Sequence, residues 1–168
     1  MSEPGTILIR AATADDLEAI TAIYNDAVRN TVSTFDTRER TMDQQMAWLT
    51  KRETKHPVVV AESGGKVAGW ASLGPWSERG AYAGTAEISL YVSENHRRKG
   101  IGKALVERIL ELGGKAGLHA VISRIVSSNK ASLELSRKSG FKPAGTLKEV
   151  GHKFGKYHDI EIWQYIYD

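Results

Sequence analysis

The sequence predicts an α/β (α+β) protein built on a mixed, mostly antiparallel central sheet flanked by helices. Three observations predict this class. The early strands follow one another as a meander, a central strand runs through a glycine-containing turn into a helix, and the later strands alternate with helices. No repeat, low-complexity run or linker interrupts the chain, so residues 1–168 are expected to form a single domain with a substantial core.

The first elements are a short strand and an amphipathic helix. Residues 7–10 are apolar and β-branched, which predicts a strand. Thr13 is typical of a helix N-cap, because two acidic residues follow it and acidic side chains stabilise a first helical turn. Apolar residues at helical spacing then carry the helix to about Val28.

A segment without helical character follows this helix. Residues 30–36 are β-branched and polar, so we do not expect the helix to continue through them. Phe35 within this segment is either a core side chain or part of a pocket wall. Thr41 and Gln44 have the spacing of a capping box, which predicts the start of a second helix.

A hairpin and a long loop precede the middle of the chain. Residues 58–61 and 66–71 are strand-like and flank the turn sequence at 63–65, which predicts an antiparallel hairpin. Residues 74–84 form a glycine-rich loop with aromatic side chains and one arginine, and loops of this length inside a compact domain are commonly functional. This loop leads directly into a predicted strand at 87–92.

A basic turn connects that strand to the next helix, which is predicted over residues 102–116 and ends at Gly117. The turn and the first helical residues contain two glycines and four cations, namely Gly100, Gly102, Arg97, Arg98, Lys99 and Lys103. A helix N-terminus offers unpaired N–H groups and a partial positive charge, and glycine lets an anion approach them closely. The sequence therefore predicts a phosphate-binding site at this turn.

The last third predicts one strand, one helix and two closing strands. Residues 119–126 are rich in strand-forming residues. Asn129 is a favoured N-cap and begins a helix that ends near Gly140, a residue suited to the left-handed conformation. Two final strands are predicted at about 144–150 and 158–166, separated by a connecting segment.

Composition excludes several classes of protein. The chain has no cysteine, which rules out disulfides, thiolate metal sites and a cysteine nucleophile, and its five histidines lack paired ligand spacing, so no metal is expected. No apolar run approaches the roughly 20 residues that span a bilayer, so we expect a cytoplasmic protein without a membrane partner. The net charge of +3 suits an anionic ligand, but the cations are concentrated in one turn, so no nucleic-acid partner is expected.

The glycine spacing in the basic turn distinguishes between phosphate-binding motifs. A Walker loop would need glycine in place of Arg97, and a dinucleotide fingerprint would need a third glycine in place of Leu105. The pattern that is present at residues 97–102, Arg-x-x-Gly-x-Gly, resembles the acyl-CoA pyrophosphate loop of the GNAT-type N-acetyltransferases.

The order of elements around this motif is similar to the GNAT fold from end to end. Four stretches also resemble the branch of this family that contains the phosphinothricin and methionine sulfoximine acetyltransferases, and they lie at residues 23–35, 85–92, 129–141 and 149–159. The resemblance implies an acetyl-CoA-dependent N-acetyltransferase that acts on a small-molecule amine. It also implies a homodimer, since members of the family pair, and a neighbouring subunit could close the pocket.

The resemblance further implies how acetyl-CoA is bound. The backbone of Leu90, Tyr91 and Val92 would hydrogen-bond the pantetheine arm like an added strand, and one N–H there would polarise the thioester carbonyl. The other expected cofactor-binding residues are Arg97, Arg98, Lys99, Gly100, Ile101, Gly102 and Lys103 at the pyrophosphate, and Asn129, Lys130 and Ser132 near the arm.

Glu87 matches the acidic residue that the family uses as a general base, a role the chemistry requires because an ammonium group cannot attack a thioester. The alternative is a surface glutamate on an exposed strand. Many relatives carry a tyrosine or histidine at the position of Ser136, and serine is a poor proton donor near neutral pH. No general acid is therefore assigned. A thiolate can leave with little help, because the reference pKa of a thiol is about 8.5.

The acceptor implied by the resemblance is an amino-acid analogue such as L-methionine sulfoximine or phosphinothricin. Its anionic end requires cations, for which Arg79 and Lys153 are the candidates. The predicted substrate-binding residues are Phe35, Trp76, Ser77, Arg79, Tyr82, Glu87, Ser89 and Lys153. Three other hypotheses stay open: acetylation of another amine (a polyamine, an aminoglycoside or a protein N-terminus), a non-catalytic acyl-CoA-binding module, and a nucleic-acid binder.

Overall fold

A computed structural model describes residues 5–168 as one sheet with helices on both faces. The strands are β1 Ile7–Ala11, β2 Val58–Ser63, β3 Lys66–Pro75, β4 Thr85–Val92, β5 Ala120–Val126, β6 Lys142–Lys153 and β7 Lys156–Ile166. The helices are α1 Leu17–Asn30, α2 Met42–Thr50, α3 Ile101–Lys115 and α4 Lys130–Lys138. The strand order across the seven-stranded sheet is β1-β2-β3-β4-β5-β7-β6.

The sheet is mixed but mostly antiparallel, which confirms the predicted fold class. Neighbouring strands pair antiparallel except for β4 and β5, which run parallel. This parallel pairing covers Thr85 to Glu87 on β4 and Ala120 to Ile122 on β5. Beyond it the two strands separate, although β4 continues to Val92 and β5 continues to Val126.

Side chains alternate across the sheet and divide the core into two clusters. Val59 of β2 lies in the larger cluster with Leu105 and Ile109 of α3, all of them fully buried. Val60, the next residue on β2, lies in the smaller cluster with Ile20 of α1. Helix α3 and helices α1 and α2 therefore cover opposite faces of the sheet.

The helices begin at or within a few residues of the predicted positions, with α1 starting at Leu17 and α3 at Ile101. Thr13 and Asp16 form a capping box, and the short 3-10 turn Ala14–Asp16 lies between Thr13 and the start of α1. Thr41 and Gln44 form a capping box at α2, where the Gln44 N–H donates to Thr41 Oγ1 at 3.2 Å.

Two connections are shorter than the sequence predicts. β3 continues through Pro75, so the glycine-rich loop begins at Trp76. β6 and β7 extend toward each other and meet in a tight turn, in which Phe154 (φ 52°) and Gly155 (φ 72°) both have positive φ angles. Pairing with a neighbouring strand stabilises both extensions. Local sequence periodicity does not predict such pairing, because the partner strand lies outside the local sequence.

Candidate active site

A cleft opens where β4 and β5 separate. It encloses a cavity of about 580 Å³ between residues 88–91 of β4 and residues 123–126 of β5. Residues 32–36, which connect α1 to α2, form a third wall, and α4 contributes Leu135 and Ser136. Ligand pockets in enzymes are commonly of this volume.

The edge of β4 that faces the cleft can bind an extended chain. Residues 86–92 pair with β3 on one side, whereas on the other side the pairing with β5 ends at Glu87. Backbone N–H and C=O groups beyond Glu87 can therefore serve a ligand laid along the strand. Leu90 and Tyr91 both line the cavity, and Val92 is the last residue of β4.

The basic turn lies directly before α3. Gly100 is the N-cap residue and has a left-handed backbone (φ 79°), and the preceding Arg98 also has a positive φ of 61°. Gly100 has no side chain with which to cap the helix, so the N–H groups of the first helical turn remain available to an anion. The cations of the turn are exposed, and the side chain of Lys103 is 72% exposed.

Gly102 allows α3 to begin close to α4. A Cβ atom added at Gly102 would lie 3.2 Å from Cδ2 of Leu135, which itself lines the cavity. The side chain of Asn129 caps α4 by accepting from the Ser132 N–H at 3.2 Å, and both residues line the cavity. Lys130 instead donates to the carbonyl of Ser127 at 2.9 Å and lies outside the cavity lining.

Glu87 is held at the inner end of the cleft by an arginine that the sequence analysis did not identify. Both carboxylate oxygens of Glu87 accept hydrogen bonds from Arg124 of β5, one from Nε and one from Nη2, the latter at 2.8 Å. The hydrogen bonds to Glu87 raise the pKa of Arg124. The Arg124 guanidinium also lies 5.7 Å from the ring centroid of Trp76. An arginine within the otherwise apolar run of β5 was the sequence signal for this contact.

A second carboxylate lines the opposite wall of the cavity. Asp36 accepts hydrogen bonds from the Tyr24 hydroxyl and from Arg40 Nη2, the latter at 3.0 Å. Burial pushes the pKa of Asp36 upward, but these hydrogen bonds outweigh it and leave the pKa below its usual value. The Thr34 hydroxyl group forms a hydrogen bond with the Tyr24 hydroxyl group at 3.1 Å. Burial raises the pKa of Tyr91, which also lines the cavity.

The structure brings three of the predicted substrate-binding residues into the cavity lining, namely Phe35, Glu87 and Ser89. The other five, Trp76, Ser77, Arg79, Tyr82 and Lys153, lie outside it. Arg79 is exposed in the loop after β3. Lys153 is buried and donates from Nζ to the carbonyl oxygen of Thr34 at 2.8 Å, and burial lowers its pKa.

Phe35 is fixed by contact with the backbone of β6. A Cβ atom added at Gly151 would lie 2.0 Å from Cε2 of Phe35, so the ring occupies the space that a side chain at position 151 would need. Of the two alternatives for Phe35, the pocket wall is the one that the structure supports, since the residue lines the cavity.

Residues 5–168 contain no cluster of three histidine, aspartate or glutamate side chains that could hold a metal ion. No helix in the same residues is long and apolar enough to cross a bilayer. The groups that the cleft offers are its carboxylates, its arginine, its exposed strand edge and a helix N-terminus.

Comparison with known proteins gives matches along most of the chain. The model of the Acetyltransferase (GNAT) family matches residues 17–141. The L-methionine sulfoximine/L-methionine sulfone acetyltransferase of Pseudomonas aeruginosa is 38% identical over 158 residues, which cover 93% of this chain and 92% of that protein.

Two solved structures share the fold closely. The structure of yncA from Salmonella typhimurium with its cofactor acetyl-CoA has a TM-score of 0.94 and 36% identity, and the match covers 96% of this chain and 94% of that one. The structure of the ribosomal-protein-alanine N-acetyltransferase from Brucella melitensis has a TM-score of 0.92 and 40% identity, and the match covers 95% of this chain and 99% of that one.

The packing of Phe35 against Gly151 gives a first prediction. Gly151→Ala should displace the Phe35 ring and destabilise the protein by about 1–3 kcal/mol, because the new methyl group overlaps the ring. The midpoint and slope of urea denaturation measure the change. Gly145→Ala on the same strand is the matched control, because an added Cβ there meets no atom within 4 Å. Equal denaturation midpoints for the two variants would contradict the prediction.

Proposed function

The chain belongs to the GNAT family of N-acetyltransferases, in the branch of the methionine sulfoximine and phosphinothricin acetyltransferases, and on this basis we propose its substrate and mechanism. The proposed reaction transfers the acetyl group of acetyl-CoA to the amino group of a small amino-acid analogue of the L-methionine sulfoximine or phosphinothricin type. One observation carries the proposal: a carboxylate lies at the point where β4 loses its partner strand, inside a cavity of small-molecule size.

The residues around the cleft fit acetyl-CoA. The exposed edge of β4 at Leu90, Tyr91 and Val92 suits the amide groups of a pantetheine arm. The turn at residues 97–100 and the first turn of α3 suit a pyrophosphate, because both backbone N–H groups and cationic side chains are available there. Asn129 and Ser132 line the cavity on the side of the arm.

Glu87 is the proposed general base. An amine is protonated at neutral pH and must lose a proton before or during its attack on the thioester carbonyl. Glu87 lies in the cavity lining, with its side chain 24% exposed, so it can receive that proton directly or through a water molecule. A backbone N–H of β4 would stabilise the negative charge that develops on the carbonyl oxygen.

Departure of the thiolate needs little assistance, since the reference pKa of a thiol is about 8.5. Ser136 is buried and lines the cavity, but a serine hydroxyl is too weak an acid to serve as the proton donor. We therefore assign no general acid. The expected homodimer and cytoplasmic location remain predictions.

A second candidate acceptor is a protein N-terminus, and the similarity to the structure of a ribosomal-protein-alanine N-acetyltransferase favours it. The cavity favours a small acceptor, because its volume of about 580 Å³ is that of a small-molecule pocket. The lining also contains a cation beside its two carboxylates, which suits an acceptor with charges of both signs.

An assay of free CoA thiol release over a panel of amines tests the proposal. L-methionine sulfoximine and phosphinothricin should be acetylated with a higher kcat/KM than spermidine, kanamycin or an alanine-terminated peptide. Preferential turnover of the peptide or of spermidine would overturn the choice of acceptor. Acetyl-CoA binding without transfer to any amine would instead support a non-catalytic acyl-CoA-binding module.

Glu87→Gln should lower kcat by about 10²- to 10⁴-fold, because it removes the proton acceptor while keeping the shape of the side chain. Acetyl-CoA affinity, measured by calorimetry, should be unchanged. Glu18→Gln on α1 is the control and should retain full activity, since that side chain is exposed and lies outside the cavity lining. A pH–rate profile identical to that of the wild-type protein would remove Glu87 from the role of base.

The double variant Arg97→Ala/Lys99→Ala should weaken acetyl-CoA binding by about tenfold or more and reduce its dependence on salt, because two charge-assisted contacts to phosphate are lost. The control Arg108→Ala/Lys115→Ala removes the same charge from farther along α3, where both cations pair with Glu111. Calorimetry at two salt concentrations measures both effects. Equal affinities in the two double variants would show that the basic turn does not bind the cofactor.

A further inference from the structure

The charged side chains that line the cavity differ in where their hydrogen-bond partners lie. The lining contains two carboxylates, Asp36 and Glu87, and one cationic side chain, Arg124. Asp36 already accepts hydrogen bonds from Tyr24 and Arg40, neither of which lines the cavity. Glu87 and Arg124 are hydrogen-bonded to each other. In this pair, each residue occupies the polar groups of the other that could bind a substrate.

We infer that Arg124 is the residue that selects the acceptor, by binding its carboxylate group, and that this contact releases Glu87 to take the proton of the acceptor amine. The inference rests on the proposed function and deepens it, because it names the residue that recognises the carboxylate group of the acceptor. It assigns the anion-binding role to a residue inside the cavity instead of to Arg79 or Lys153, which lie outside its lining.

The exchange of partners costs little, because it replaces one bidentate contact by an equivalent one. A guanidinium group binds a substrate carboxylate with the same paired geometry in which it binds Glu87. The Arg124 side chain is 55% exposed, and an ion pair that is open to water contributes little to stability, so breaking it costs little. Trp76, near the guanidinium, can support it in either state through a cation–π contact.

The exchange also links substrate recognition to proton transfer. While Arg124 donates to both oxygens of Glu87, fewer lone pairs of the carboxylate are free to accept a hydrogen bond from the acceptor ammonium group. The amino and carboxyl groups of an α-amino acid are attached to the same carbon. A carboxylate bound to Arg124 therefore brings the ammonium group beside Glu87, where the proton must be received.

Neither alternative cation has the position that this role needs. The Nζ of Lys153 donates to the carbonyl of Thr34 in a buried site, and Lys153 is not among the residues that line the cavity. Arg79 is exposed in the loop that follows β3 and is absent from the lining. Arg124 is adjacent to the base itself, as an α-amino acid requires.

The test compares L-methionine sulfone with its carboxamide, which keeps the amine but lacks the negative charge. The wild-type protein should prefer the acid. In Arg124→Ala, kcat/KM for the acid should fall by roughly 10- to 100-fold, because charge-assisted bonds are lost, whereas kcat/KM for the carboxamide should stay within about threefold. Arg124→Lys should retain part of the preference, since lysine keeps the charge but not the paired geometry.

Matched measurements show whether the variants remain folded and whether the effect is local. Arg108→Ala removes an equivalent charge on α3, away from the cavity, and should leave the preference for the acid unchanged. Thermal melting and acetyl-CoA affinity should be the same for wild type and Arg124→Ala. Calorimetric titration with L-methionine sulfone should show weaker binding to Arg124→Ala independently of turnover.

Three other outcomes would contradict the inference, and they differ in whether they also contradict the proposed function. Equal losses on the acid and the carboxamide would mean that Arg124 only positions Glu87, and would overturn the inference while leaving the proposed function intact. An unchanged preference for the acid in Arg124→Ala would overturn it as well. Failure of the wild-type protein to acetylate either compound, or to bind L-methionine sulfone, would overturn the proposed function and the inference together.

Discussion

The separation of β4 from β5 is the constraint on which the rest of the site depends. Parallel strands pair through evenly spaced backbone hydrogen bonds, and here that pairing stops after Glu87 and Ile122. The interruption leaves one strand edge without a partner inside the protein, which is costly for a backbone unless water or a ligand supplies the missing bonds. A cavity, an exposed strand edge and a carboxylate at its inner end are therefore consequences of one break in the sheet.

The wall opposite this break has no regular secondary structure and is held by side chains. The carbonyl oxygen of Thr34 accepts a hydrogen bond from Lys153, and the Thr34 hydroxyl group forms a hydrogen bond with the Tyr24 hydroxyl group. The ring of Phe35 packs against the backbone of Gly151. The contacts of Thr34 with Lys153 and of Phe35 with Gly151 join residues more than 100 positions apart in sequence. The shape of the pocket thus depends on the β6–β7 hairpin as much as on the strands that carry the chemistry.

The sequence predicted the elements well and the contacts between side chains poorly. The helix that starts near Gly100 and the position of Glu87 follow from local patterns, because caps, glycines and periodicity act over a few residues. Lys153 was assigned to the substrate by its charge, yet it faces Thr34, a contact that no local pattern encodes. Arg124 was overlooked for the same reason, since its importance lies in a neighbour 37 residues earlier in the chain.

The pairing of Glu87 with Arg124 holds two opposite charges together in the lining of the cavity. Because the Arg124 side chain is 55% exposed, the pair contributes little to stability, and its effect is on the balance of charge in the site. A zwitterionic acceptor brings one charge of each sign and preserves this balance when it enters. A polyamine brings only positive charge and would compete with Arg124 for Glu87, leaving the guanidinium without a partner. In the proposed mechanism, the pairing of Glu87 with Arg124 therefore disfavours purely cationic acceptors.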